Sequence, residues 1–212
     1  IAPEDYQENS PRAIDEIINV DGLDVIDLGA GTGRLTLLLA PRVKSIHAFD
    51  MSAEMLRVCR ERLLASGLSN WQVDVADHRR LPIPNHGADL VVSGWSVAYL
   101  SVWYPETYRE ELATWLHEVK RVLKPGGHII LFESLTTGSE TPIPLEHLKD
   151  YYPWLDEAGF QNKWIRTDFK FASVDEAAKS LAFFFGEEMS KQIRDKGSTI
   201  VPECTGVWWL KV

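Results

Sequence analysis

Up to residue 133, short apolar runs closed by glycine, proline or polar clusters alternate with longer mixed segments. Val25–Leu28, Ser45–Phe49, Trp71–Ala76, Ala88–Ser96 and His128–Phe132 read as strands, Ala88–Ser96 being of buried type and opening into a loop. A helix starts at Ser52-Ala53-Glu54-Met55, and a charge-rich one runs from about Glu106 to Leu123, where Lys124-Pro125-Gly126-Gly127 supplies the stop signals. Strands alternating with helices in this way predict a parallel sheet.

Beyond Glu133 the pattern loosens. Ser134 to Pro144 is polar and rich in Thr, Gly and Pro, which predicts a long loop leaving the fifth strand. Leu145 to Ala158 has helical spacing, with Pro153 as its weak point and Gly159 as its end. Asn162 to Phe171 alternates as a strand does, with Trp164, Arg166 and Asp168 at period two. Ser173-Val174-Asp175-Glu176 is a capping box, opening a helix through Ala177 to Phe184 before Gly186 bends it. Thr205 to Val212 is the closing strand.

The most informative junction is Val25-Ile26-Asp27-Leu28-Gly29-Ala30-Gly31-Thr32-Gly33, an apolar strand turning through alternating glycines into a helix. Glycine admits positive φ and lets a ligand come against bare backbone, while the helix N-terminus offers unpaired N–H groups. A dinucleotide fingerprint requires G-x-G-x-x-G, and Arg34 occupies the place of its third glycine.

At these residues the chain resembles the class I S-adenosylmethionine-dependent methyltransferases, whose first motif is G-x-G-x-G after an acidic strand end, here Asp27. Arg121-Val122-Leu123-Lys124-Pro125-Gly126-Gly127 also resembles the segment before the fifth strand of many small-molecule members. The resemblance covers roughly Leu23 to Glu133. It implies a Rossmann-like, doubly wound α/β fold whose seven-stranded, mostly parallel sheet has order 3-2-1-4-5-7-6 and an antiparallel C-terminal strand. The expected organisation is a single domain, 1–212, with an N-terminal lid segment (1–22), a cofactor core (23–133) and a substrate-side region with closing hairpin (134–212).

The resemblance also implies a set of cofactor contacts. Gly29, Ala30, Gly31 and Gly33 form the turn. Asp50 ends the second strand about twenty residues past the turn, where a ribose-binding carboxylate belongs; its alternative role is to begin the following helix. Met51 is placed to lie along the adenine or merely to fill a gap. Asp77 matches the acidic residue that accepts from the adenine amino group, and His78 its ring-covering neighbour; both also suit an ordinary loop. Ser93, Gly94 and Trp95 open the loop after the fourth strand, where Gly94 would admit the methionine part. Tyr6 belongs to the lid segment, although that segment is short for the family and its tyrosine pattern incomplete.

Methyl transfer needs a general base only if the acceptor must lose a proton. Tyr99, Glu133 and His147 are the candidates near the crevice; His117 lies mid-helix. Trp95, Tyr99, Trp103, Phe183 and Phe184 would line an apolar acceptor pocket between the loop 93–103, the loop after Glu133 and the segment 173–203, which equally suits a dimer surface. Taken singly, each aromatic also suits an ordinary core.

The 212 residues, 45% hydrophobic, suffice for one α/β core. No apolar run is long enough for a membrane span, and the N-terminus lacks a signal-peptide pattern. The first residue is Ile1, which suggests a trimmed start. Cys59 and Cys204 have no metal-ligand spacing, so no metal is expected and reduced thiols in a cytoplasm fit. A formal charge of −9, with His78-Arg79-Arg80 the only dense basic cluster, argues against nucleic acid and for a small-molecule acceptor. S-adenosyl-L-methionine is the expected cofactor, with S-adenosyl-L-homocysteine as product. The alternatives are an RNA or protein methyltransferase, a cofactor-binding regulatory protein without turnover, and an NAD-dependent oxidoreductase.

Overall fold

The computed structural model describes residues 4–212; Ile1, Ala2 and Pro3, the start of the expected lid segment, lie outside the described residues. Seven strands form the main sheet: β1 (Asp24–Leu28), β2 (Ser45–Asp50), β3 (Trp71–Val75), β4 (Ala88–Gly94), β5 (Leu123–Thr137), β6 (Gln161–Arg166) and β9 (Glu203–Lys211). A two-stranded sheet pairs β7 (Phe169–Lys170) with β8 (Ile200–Val201). The helices are α1 (Asn9–Asp15), α2 (Arg34–Leu39), α3 (Ala53–Ser66), α4 (Tyr99–Trp103), α5 (Tyr108–Val122), α6 (Tyr151–Glu157) and α7 (Val174–Lys196). A 3-10 turn at Glu146–Leu148 precedes α6.

The main sheet runs β3-β2-β1-β4-β5-β9-β6, parallel from β3 through β5, with β9 antiparallel to both its neighbours. This is the expected order, with β9 in the place of the seventh strand. Alternate residues of the central strands feed opposite faces, as a period of two demands. Ile26, Val91, Ile129 and Leu131 pack with Leu112, Trp115 and Val119 of α5. Val25, Leu90, Val92 and Ile130 pack with Leu35 and Leu39 of α2 and with Leu56, Cys59 and Leu63 of α3. A separate small core joins Phe169, Phe171 and Val201 to Ala177, Ala178, Leu181 and Ile193 of α7.

Register places the functional edge. Leu28 lies opposite both Phe49 and Ser93, Asp50 opposite Val75, and Gly94 opposite Phe132. Gly29, Asp50, Ala76 and Trp95 therefore stand at the carboxyl ends of β1 to β4, level with Glu133 on the longer β5. That is where open α/β sheets bind ligands. Lys124 works at the opposite end, reaching Asp24 at 3.2 Å and Asp89 at 2.8 Å, so the Lys-Pro-Gly-Gly stretch clamps the amino ends of β1 and β4.

Several elements differ from the sequence expectation. β5 continues past Glu133 to Thr137, because β9 supplies a partner for Ser134, Thr136 and Thr137; the expected loop starts later. The helical stretch 145–158 breaks at Lys149 and Asp150 rather than at Pro153, which sits in the first turn of α6, where a missing N–H costs nothing. The alternating run 162–171 is divided: β6 ends at Arg166, and Phe169–Lys170 turns away to β8. The buried Asp168 carboxylate holds that corner, accepting from Arg166 at 2.7 and 2.8 Å and from the Glu203 N–H at 3.0 Å. β9 starts at Glu203, two residues ahead of the expected closing strand, which makes Cys204 a buried strand residue. The capping box holds: Ser173 accepts from the Glu176 N–H at 3.1 Å, and Gly186 kinks α7 at φ 81°. No helix among the described residues is long and apolar enough to cross a membrane.

Candidate active site

The turn after β1 is built on backbone that side chains rarely adopt. Gly29, Gly31 and Gly33 have φ of 67°, 54° and 88°. A Cβ on Gly29 would overlap the Ser96 hydroxyl, so the turn also depends on glycine for space. Asp50 secures it from the next strand: one carboxylate oxygen accepts from the Gly31 N–H at 2.9 Å, the other from the Ser52 N–H at 2.8 Å. The Asp50 carboxylate thus braces the entry to α3 and also lines the cleft. A carboxylate offers about four lone-pair directions, so about two remain for a ligand.

The cleft at this edge has a volume of about 500 Å³ and is lined by Gly29, Ala30, Gly31, Asp50, Met51, Met55, Ala76, His78, Gly94, Trp95, Ser96, Tyr99 and Trp103. Tyr99 and Trp103 stack on one wall with ring centroids 5.1 Å apart. His78 is half-buried, and desolvation lowers its pKa against the opposing pull of Asp77. Beside the cleft lies a second chamber of about 300 Å³, lined by Trp95, Ala98, Tyr99, Val102, Glu133, Ser134, Leu145, His147 and Leu148. The two share Trp95 and Tyr99. All three candidate proton-transfer residues, Tyr99, Glu133 and His147, therefore face one chamber.

Trp95 is the partition. It holds φ 53°, unusual for a bulky residue, and its N–H donates to the Phe132 carbonyl at 2.6 Å. The Arg34 guanidinium lies 3.9 Å from the centroid of its ring and forms an ion pair with Glu4. Arg34, the departure from the dinucleotide fingerprint, thus supports the indole at the mouth of the cleft.

Other expected residues stand elsewhere. Asp27 is buried behind the turn, accepts from the Thr36 hydroxyl at 2.6 Å, and burial pushes its pKa up to about 7. Gly33 starts α2, where a Cβ would press on the Cys59 thiol. Ser93 is buried and donates to the Leu28 carbonyl at 2.8 Å, tying β4 to β1. Asp77 is gripped by Arg79 at 3.0 and 2.5 Å, which lowers its pKa, and it does not line the cleft. Tyr6 lies against Lys170, 5.4 Å from its ammonium, instead of over the cleft. Phe183 and Phe184 are 85% and 73% exposed and border a different groove, with Phe169, Phe171, Leu181 and Glu4. No residue of 173–203 lines the cleft or the chamber, because α7 packs on β7 and β8.

Some lining residues were absent from the sequence expectation. Met55 lies in the first turn of α3, just past the N-cap Ser52, which brings it to the cleft beside Met51. Ser96, Ala98, Val102 and Leu148 enter only through the packing of α4 and the 3-10 turn over the sheet edge.

An open sheet of this order, with a glycine turn and a strand-end carboxylate at its switch point, defines a nucleotide-cofactor-binding protein of Rossmann-like architecture. A family model described as a methyltransferase domain matches residues 25–127. Among curated relatives, the ubiquinone/menaquinone biosynthesis C-methyltransferase UbiE of Coxiella burnetii is 33% identical over 135 residues, covering 62% of this chain and 49% of that protein. The malonyl-[acyl-carrier protein] O-methyltransferase of Marinomonas is 36% identical over 121 residues, 54% of this chain and 39% of that one. The chain spans about half the length, or less, of these curated relatives. A SAM-dependent methyltransferase structure from Aquifex aeolicus superposes with a TM-score of 0.63 at 19% identity, covering 95% of this chain and 89% of that one. The [4+2]-cyclase SpnF superposes at 0.62 with 19% identity, covering 97% and 82%, so the fold by itself hosts more than one chemistry. Over residues 25–127 the chain is thus similar to methyltransferase domains, and its fold is that of solved S-adenosylmethionine-dependent methyltransferases.

Proposed function

We propose that this protein transfers a methyl group from S-adenosyl-L-methionine to a small-molecule acceptor, releasing S-adenosyl-L-homocysteine. The observation that carries the reading is the pair of cavities meeting at Trp95 and Tyr99: a cleft floored by bare glycine backbone and Asp50, and a mostly apolar chamber beside it. The residues fit the cofactor. Asp50 keeps lone pairs free for ribose hydroxyls, and charge-assisted hydrogen bonds are among the strong ones. Met51, Met55, Ala76 and His78 line the same cleft and would flank the adenine, and Gly94 would let backbone approach the methionine part.

When bound, the cofactor supplies a sulfonium whose methyl carbon is already electrophilic. The chain's own residues then have to align the acceptor, exclude water and favour the charge distribution of the transition state. Trp95 and Tyr99, at the junction, are the residues that would hold the two reactants in line. The names of the relatives support an acceptor other than nucleic acid, one being a C-methyltransferase of quinone biosynthesis and the other an O-methyltransferase of a carrier-bound malonyl group. A charge of −9 adds repulsion toward a polyanion.

The test is calorimetric titration with S-adenosylmethionine, its demethylated product and NAD, followed by a labelled-methyl screen of small acceptors. One-to-one binding of the first two, with transfer to a small acceptor, is expected. Binding of NAD alone, or label entering RNA with steep salt dependence, refutes the reading.

A further inference from the structure

We infer that Glu133 is the catalytic base of this site, and that the acceptor is a weakly acidic phenol or enolisable carbonyl compound that enters neutral and loses its proton inside the chamber. The inference rests on the methyl-transfer reading above and names the substrate class for it.

The geometry is that of a carboxyl group held by one oxygen and offered by the other. Glu133 is 2% exposed overall. Its Oε1 accepts from the Tyr151 hydroxyl at 2.8 Å and from the Ala98 N–H at 3.2 Å. No protein donor among the described residues reaches Oε2, and Glu133 lines the chamber. A carboxyl placed only to join α4 and α6 to β5 would gain from using both oxygens. The rest of the wall is mainly apolar, from Trp95, Ala98, Val102, Leu145 and Leu148. A fixed anion as acceptor would be brought against a buried carboxylate without a cation, since the chamber lining holds no Lys or Arg. A neutral acceptor avoids that cost.

The titratable groups that face Glu133 are Tyr151 and Tyr152 of α6, Tyr99 of α4 and His147 of the 3-10 turn. Tyr152 is turned to the Ser134 carbonyl at 2.5 Å, leaving Tyr151 as the direct partner. Burial pushes the Glu133 pKa up to about 8, the two hydrogen bonds only partly opposing it. A base tuned near working pH is the effective kind, and one of this strength matches the acidity of phenols and enols better than that of alcohols. In the step, the acceptor's O–H or C–H proton passes to Oε2 as its electron pair forms the bond to the methyl carbon. The S–CH₃ bond breaks, its electrons stay on sulfur as the thioether, and the proton leaves Glu133 for solvent after product release.

Glu133→Gln keeps shape and the Tyr151 contact while removing the base. With a phenol or 1,3-dicarbonyl acceptor, it should lower kcat by about a hundredfold or more, leave S-adenosylmethionine affinity within about threefold, and abolish a rise in rate through pH 8. The deficit should shrink for para-nitrophenol, which ionises in solution. A readout without turnover uses para-nitrophenol bound with S-adenosylhomocysteine: the wild type should show phenolate absorbance below the solution pKa, and the variant the neutral phenol. Tyr151→Phe, which keeps Glu133, should retain the pH-dependent limb. Equal transfer and equal pH profiles in wild type and Glu133→Gln overturn the inference, as does a deficit equal for ionised and neutral acceptors. Absence of S-adenosylmethionine binding in the wild type overturns the underlying reading instead.

Discussion

Replacing Asp50 by Ala separates the observed structural role of one carboxylate from the ribose-binding role proposed for it. Inside the protein it accepts from the N–H groups of Gly31 and Ser52, at 2.9 and 2.8 Å. Toward the cleft it keeps about two acceptor directions for the ribose hydroxyls. Hydrogen bonds to a charged group contribute about 1.5–3 kcal/mol net, so the loss on the ligand side should weaken S-adenosylhomocysteine binding roughly tenfold to a hundredfold. The internal loss is smaller, because Asp50 is half-buried and water can reach the two freed donors. A cost of about 1 kcal/mol corresponds to a fall of about 2–4 °C in Tm for a chain of this size. Isothermal calorimetry reads the first effect and a thermal melt without ligand reads the second. A lowered Tm with unchanged affinity would show that Asp50 only closes the turn, and the assignment of the cleft to a ribose would fall with it.

Gly29→Ala combines a φ of 67° with overlap on the Ser96 hydroxyl, so a stability loss of about 1–3 kcal/mol is expected in chemical denaturation. Adding Ser96→Gly should recover part of it, whereas no recovery would mean that backbone strain alone is at work. Buried Glu203, pushed up to about 8, binds a proton in the folded chain over a range where the unfolded chain has released it. Its stabilisation is complete below about pH 4.5 and is lost as pH rises through about 8, with a slope of up to about 1.4 kcal/mol per pH unit. Glu203→Gln should therefore flatten the decline in stability from about pH 5 to about pH 8 relative to wild type, and a steeper decline would contradict the sign. Phe183→Ser and Phe184→Ser should leave methyl transfer within about twofold, since both rings lie outside the cleft and the chamber; a larger drop in kcat would place α7 in the acceptor site.

The sheet and the glycine turn with Asp50 beside it were legible from residue order because local rules govern them. An apolar run meeting Gly-x-Gly-x-Gly can do little but turn into a helix, and Asp50 follows from the length of one βαβ unit. The Ser173 cap and the Gly186 kink are likewise properties of a few adjacent residues. What surrounds the chamber was decided by packing. Glu133 stands on β5, but its burial, which raises its pKa, and the holding of one oxygen by Tyr151 and Ala98, 18 and 35 positions away, come from packing distant in sequence. Phe183 and Phe184 have the composition of a pocket wall, yet the small sheet of β7 and β8 turns α7 aside. Asp77 has the right position for an adenine contact, and Arg79 with Glu111 draws it into a salt-bridged corner instead. Periodicity and turn chemistry act over a handful of residues and can be read along the chain. A side chain's solvent and partners depend on contacts distant in sequence, and here those contacts decided which groups line the chamber.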